Sequence, residues 1–186
     1  MAPAAVQRAM LTAYEAEPEN PVRSIAVEVR LTPERVLGWH YTLEGDLTRL
    51  RVPDPHDGQR TDGLWRHTCF EAFIAAPGAP GYYEFNFSPS RDWAAYHFEE
   101  YRGGMSAATL PRAPDSKVHS RGERLELTVS VPLAGLARLQ GAALRLALAA
   151  VCEAADGRLS YWALQHAPGK PDFHHPRGFA LELHTA

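Results

Sequence analysis

Apolar and polar residues alternate with a period of two along most of the chain, the signature of strands with one buried face. SIAVEVRL sets Ile25, Val27, Val29 and Leu31 on one side, with Ser24, Glu28 and Arg30 mostly opposite. LGWHYTLEGD repeats the pattern through Leu37, Trp39, Tyr41 and Leu43 before a turn at Glu44-Gly45-Asp46, and RLELTVSV repeats it through Leu125, Leu127, Val129 and Val131. LRLALAAVCE and RLSYWALQH flank Ala155-Asp156-Gly157, and an Asp-Gly between two alternating runs predicts a hairpin. Helix is scarce. PLAGLARLQG predicts one short crossing helix, with Pro132 suited to its first position and Gly141 to its stop. VQRAMLTAYE reads as a helical turn or an arm. Many short strands separated by Gly, Pro and Asp clusters predict an all-β domain, a β-sandwich rather than an α/β fold.

Composition narrows the function classes. The 186 residues are 45% hydrophobic and 22% charged, which suits one globular domain with a substantial core. The expected division is a single domain over residues 1–186, with a core from about 22 to 183 and an N-terminal arm over 1–21. Net charge is −3 and the basic residues are scattered, which argues against nucleic acid or an anionic membrane as partner. The first twenty residues carry no uninterrupted apolar run of the signal-peptide kind and no stretch is long enough to span a bilayer, so the expected location is the cytoplasm. Cys69 and Cys152 both sit in apolar runs, which favours buried free thiols over a disulfide framework.

Three segments carry candidate chemistry. In LWRHTCFEAFI (64–74), Trp65 leads into a strand with His67, Cys69, Glu71 and Phe73 at alternate positions. In YYEFNFSPS (82–90), Glu84 and Asn86 share one face while Tyr83, Phe85 and Phe87 share the other. Paired, these two strands would gather two carboxylates and an amide on one surface, able to hydrogen-bond a hydroxylated ligand while an indole stacks on it. The competing reading is structural: both glutamates bonded to Arg or His neighbours, with the aromatics as core. SRDWAAYHFEEYRGGM (90–105) packs Trp93, Tyr96, Phe98 and Tyr101 ahead of a Gly-Gly hinge, with Trp93 read as a pocket rim and Tyr96 and Phe98 as core cover. LQHAPGKPDFHHPRGF (164–179) holds His166, His174 and His175 in a Pro-rich loop, where pinning the loop is favoured over a transition metal. Glycoside hydrolysis would need Glu71 and Glu84 in split acid and base roles, and nothing in the sequence separates their surroundings.

LWRHTCFEAFI, YYEFNFSPSRDWAAYHFEEYR, SYWALQH and PDFHHPRGFALEL, in that order and spacing, resemble the DOMON-like superfamily, which includes carbohydrate-binding module family 9 and cytochrome-type DOMON domains. The resemblance runs from about Val22 to Leu183 and is nearest to the small stand-alone bacterial DOMON-like proteins of unassigned function. It implies an immunoglobulin-like β-sandwich that binds a sugar or a haem without catalysis. For a sugar, it implies Trp65 and Trp93 as stacking residues and Glu71, Glu84 and Asn86 as polar ones. For haem, it implies a Met and His axial pair, for which Met105 and His166 or His174 are the candidates. Calcium, bound by some sugar-binding relatives, would fall to Asp54, Asp57 and Asp62, which lack an EF-hand pattern.

The resulting expectation is a non-catalytic small-molecule binding domain, probing a carbohydrate or sugar derivative with Trp65, His67, Glu71, Glu84, Asn86, Trp93, Tyr101, His166 and His174. No metal site and no cofactor are expected, haem being the alternative cofactor. The alternative functions are a haem-binding domain, a structural or protein-interaction domain, and a glycoside-processing enzyme using Glu71 and Glu84.

Overall fold

The structure is a computed structural model that describes residues 4–141 and 143–184. Its strands are β1 (Ala5–Ala13), β2 (Val22–Leu31), β3 (Val36–Gly45), β4 (Cys69–Ala75), β5 (Tyr82–Phe87), β6 (Trp93–Phe98), β7 (Ser106–Ala107), β8 (Asp115–Arg121), β9 (Arg124–Pro132), β10 (Ala143–Glu153), β11 (Leu159–Ala163) and β12 (Leu181–His184). They form one curled antiparallel sheet in the order β7-β6-β5-β4-β10-β11-β1-β2-β3-β9-β8, with β12 added beside β10. The alternating runs become β2, β3 and β9, and their inward residues, Ile25, Val29, Leu37, Leu43, Leu127 and Val129 among them, are all buried.

The curl brings distant strands face to face. Trp39 of β3 lies 6.0 Å from Phe85 and 5.5 Å from Phe87 of β5, and Tyr41 lies 4.9 Å from Phe70 of β4. These strands are not neighbours in the sheet, so the contacts measure how far it has folded over. The Tyr41 hydroxyl donates to the backbone oxygen of Glu71 at 3.0 Å, satisfying a buried phenol and tying one arm of the sheet to the other.

Two local expectations are corrected. Residues 6–15 are neither helix nor loose arm, because β1 pairs with β2 from Ala5↔Leu31 to Leu11↔Ile25. Backbone pairing makes this strand, since Val6 and Met10 stay exposed and only Leu11 is buried. β1 then changes partner, pairing Thr12 and Ala13 with Ala163 and Trp162 of β11. The crossing helix in PLAGLARLQG is reduced to a single 3-10 turn, Ala137–Leu139. Gly135 at φ +87° breaks the would-be first helical turn. The Asp-Gly hairpin forms between β10 and β11 as its chemistry demands, with Gly157 at φ +90°.

Candidate functional site

β4 and β5 are buried on both faces, whereas a sheet strand usually hides one. Phe70, Ala72 and Ile74 point into the main core with Phe85 and Phe87. On the opposite face the register sets Glu71 beside Asn86 and Phe73 beside Glu84. β6 adds Tyr96 and Phe98 to that second face, and β10 adds Ala147 and Ala149. Three excursions wall the hollow: the 3-10 turn Leu64–Arg66, launched by Gly63 at φ +80°, the connection from β6 to β7, and the connection from β11 to β12. Phe73, Tyr82, Phe98 and Phe179 form a second apolar cluster where the last connection lies across the sheet, with Phe173 packed against it.

The hollow is a cleft of about 520 Å³. Its aromatic lining is Trp65, Tyr96, Phe98, Tyr161 and Phe173, and its polar lining is Glu71, Glu84, His174, Arg66 and Arg102. Glu71 and Glu84 are only 3% and 5% exposed, so both carboxyls sit on the floor. Asn86, fully buried, donates from Nδ2 to Glu84 Oε1 at 2.8 Å. Among the described residues nothing hydrogen-bonds Glu71 Oε1 or Asn86 Oδ1. His174 is edge-packed by Phe73 and Phe98, its Nδ1 lies 2.8 Å from the Tyr82 hydroxyl, and its Nε2 lies 3.8 Å from Glu84 Oε2. The Tyr82 oxygen accepts from the Arg102 backbone N–H at 3.2 Å, which leaves its own hydrogen for His174 Nδ1.

Burial decides the protonation of this floor. It pushes the Glu71 carboxyl well above its ordinary range, and the charge of Glu84 adds to the rise. It pushes Glu84 up to about 7, against the Asn86 hydrogen bond and the Arg102 charge, which both favour the ionised form. It lowers His174 to about 4, helped by Arg102. Burial thus favours the protonated form of Glu71, able to donate, beside a Glu84 near its midpoint at neutral pH and a neutral imidazole. At the rim, Asp172 takes a 2.7 Å bond from Arg102 and one from the Tyr101 hydroxyl, and these hold it below the usual carboxylate range despite its burial.

Of the residues expected at a site, the structure brings Trp65, Glu71, Glu84 and His174 together as lining, Asn86 as the anchor of Glu84, and Tyr101 to the rim. Trp93 is not brought there. Its parity along β6 is opposite to that of Tyr96 and Phe98, so it packs against the main core with Arg60 5.2 Å from its ring. His67 lies beyond the end of the cleft, 2.7 Å from Glu153, which also binds Arg51. His166 pins β1, its Nε2 lying 2.8 Å from the Thr12 oxygen. Among the lining residues missed by sequence reasoning are Tyr161, Phe173, Arg66 and Arg102, and Tyr96 and Phe98, expected only to cover the core, line the cleft as well. The alternation of β11 sets Tyr161 opposite the core-facing Trp162 and is readable in SYWALQH, whereas nothing local marks Phe173 or the arginines.

For the haem alternative, Met105 and His174 both line the cleft, while the histidines already have hydrogen-bond partners. His174 has one ring nitrogen on Tyr82 and the other facing a buried carboxyl, and His166 is bonded to backbone. No group of three or more metal-ligating side chains converges among the described residues, and Asp62 is engaged by the Tyr96 hydroxyl at 2.6 Å. Cys69 and Cys152 are both free and buried, and burial pushes Cys152 up to about 12. No described helix is long and apolar enough to cross a membrane.

No family model and no curated relative matches the sequence. The fold, however, has solved counterparts. The chain aligns with a "putative carbohydrate-binding protein" from Bacteroides uniformis ATCC 8492 at a TM-score of 0.63 and 15% identity, covering 92% of this chain and 83% of that one. It aligns with a carbohydrate binding module family 9 from Caldicellulosiruptor kristjanssonii, in complex with cellotriose, at a TM-score of 0.54 and 10% identity, covering 88% and 75%. The chain shares the fold of these two proteins.

Proposed function

We propose that the cleft binds a short saccharide and performs no chemistry on it. The observation that carries this reading is Glu71 Oε1, a buried, unpartnered polar atom on the floor of an aromatic-walled cleft. Such an atom costs about 1–3 kcal/mol to desolvate, a cost that a hydroxyl-rich ligand entering the cleft would offset. Trp65, 37% exposed at the mouth, offers a platform for a sugar ring, and Tyr96 and Tyr161 offer apolar walls with hydroxyl tips. The fold shared with a cellotriose-bound module supports the same reading, as does the DOMON-like resemblance. We read the curled sheet as an immunoglobulin-like sandwich of that kind, extended by β1.

Hydrolysis is disfavoured by placement. Glycosidase carboxyls flank the scissile bond, one acting on each side of it. Glu71 and Glu84 are diagonal neighbours on one sheet face and approach a ligand from the same side.

Calorimetric titration with cellotriose and a panel of mono- and oligosaccharides, alongside tryptophan fluorescence, tests the proposal. At least one saccharide should bind with a change in indole emission, and Trp65→Ala should weaken it about threefold to tenfold. Absence of heat and emission change across the whole panel would overturn the reading.

A further inference from the structure

Elsewhere in this protein a buried carboxylate is given a cation. Glu153, 6% exposed, has Arg51 and His67 each at 2.7 Å, and Asp172 has Arg102 at 2.7 Å. Glu71 and Glu84 are buried as deeply, and among the described residues neither has a lysine or arginine nitrogen within 4 Å. The guanidinium that could have served them, Arg102, is held by Asp172 and Tyr101 at the rim. His174 approaches Glu84 only to 3.8 Å, with its other nitrogen tied to Tyr82. A neutral amide, Asn86, is the one hydrogen-bond partner of Glu84 among the described residues. Two carboxyls thus share a buried floor with space above them, and among the described residues no lysine or arginine is in contact with either, Arg102 acting on Glu84 only from a distance.

We infer that the missing counter-charge comes from the ligand: the floor between Glu71 and Glu84 is a seat for a primary ammonium, and the preferred saccharides are amino sugars. This rests on the saccharide reading above and sharpens it. An ammonium has three donors, enough for Glu71 Oε1 and Glu84 Oε2 with one left over, whereas a sugar hydroxyl brings one donor and no charge. Charge-assisted bonds of this kind are about twice as strong as neutral ones. The faces of Tyr96 and Phe98 beside the floor favour a cation as well.

The groups facing the pair set the pH behaviour. β4 contributes Glu71 and the buried Cys69 thiol, β5 contributes Glu84, Asn86 and the Tyr82 phenol, and β6 contributes Tyr96, bonded to Asp62. The loops contribute His174, the Asp172–Arg102 pair and Arg66. An ammonium arriving here displaces protons that burial holds on the carboxyls. The pair needs Glu84 as carboxylate and the sugar amine as ammonium, so the carboxyl proton passes to solvent when the amine arrives charged and to the amine when it arrives neutral; binding tightens as pH rises toward about 7, where Glu84 gives up its proton, and weakens again where the free amine loses its own.

The test is calorimetry on the intact protein at pH 7.5 and moderate salt, comparing cellotriose with the β-1,4-linked glucosamine trimer and with its N-acetylated form. The amine trimer should bind at least about tenfold more tightly than either neutral trimer, with heats in two buffers of different ionisation enthalpy reporting proton release. Glu71→Gln and Glu84→Gln should each weaken the amine trimer by a larger factor than they weaken the neutral trimers, so that the preference collapses, with circular dichroism confirming that both variants fold. Equal or tighter binding of a neutral trimer would overturn the amine inference and leave the saccharide reading in place. So would an amine preference that survives both substitutions, which would mark it as bulk attraction to a protein of negative net charge. Silence from all three trimers would overturn the amine inference, and silence from the full panel as well would remove the saccharide reading with it.

Discussion

The two faces of the β4–β5 ribbon are equally dry and chemically unlike. Toward the core, Phe70, Ala72, Ile74, Phe85 and Phe87 present only carbon, and aromatic contacts with Trp39 and Tyr41 fill the space. Toward the cleft, the same strands present Glu71, Glu84 and Asn86, with two of their polar atoms unbonded. The first face is what stability requires. The second runs against stability, since burying a carboxyl without a partner is costly and forces it to keep its proton. Where a strand is buried on both sides, departure from apolar chemistry, rather than exposure, is what separates a working surface from a supporting one.

The sharpest way to break the comparison is to damage the carbon face. Phe85→Ala should cost about 3–5 kcal/mol, enough to lower the melting temperature steeply or unfold the protein, as read by thermal or urea denaturation. A loss below about 1 kcal/mol would mean that the two arms of the sheet are not packed as described.

The opposite sign is expected on the polar face. Glu84 titrates near 7 in the fold against an ordinary 4.5, so its contribution is fully present below about 4.5 and is lost as pH rises through about 7. Glu71, also pushed up by burial, adds a loss of the same sign. Glu84→Gln, which cannot ionise, should therefore be more stable than the parent at pH 8, on the order of 1–3 kcal/mol, with the gap closing toward pH 4.5. His174 works in the other direction: its neutral form is favoured, so its contribution is present above 6.5 and fades as pH falls through about 4. Melting curves of both proteins from pH 4 to 8 separate these trends, and parallel profiles would refute the buried-carboxyl account.

The smallest effect should come from the rim. Arg102 is half exposed in its pair with Asp172, so a double-mutant cycle using Arg102→Gln and Asp172→Asn should give a coupling of about 1 kcal/mol or less in stability. The same substitutions should change ligand dissociation more than folding, because the pair joins two of the loops that wall the cleft.

Much of this contrast was legible in the sequence. The parity of Glu71 in one segment and of Glu84 and Asn86 in the next placed them on one surface once the two strands were paired, and local period-two patterning is what survives without coordinates. The same rule, applied to Trp93 against Tyr96 and Phe98, would have turned Trp93 toward the core. What the sequence could not display is long-range cover. Nothing local says that His174 packs against Phe73 and Tyr82, or that Gly178 of the last connection lies close over Ala147. β1 was missed because a strand held by backbone pairing, with one buried side chain, has no alternation to read, and the helix was overcalled because Gly135 could be assigned a left-handed turn only by its coordinates.

The change of partner within β1 has a bearing on how the molecule comes into being. Its first residues pair with the adjacent hairpin strand β2, but Thr12 also reaches the Ala163 oxygen, 151 residues later in the chain. A chain emerging from the ribosome N-terminus first can form the β1–β2 hairpin early and must then wait for nearly all of its length before the seam is sewn. Contacts of such sequence separation fold slowly. Docking of β11 against a strand made at the very start is thus expected late in assembly, and until it happens the seam between β1 and β11 stays open to solvent and to other chains.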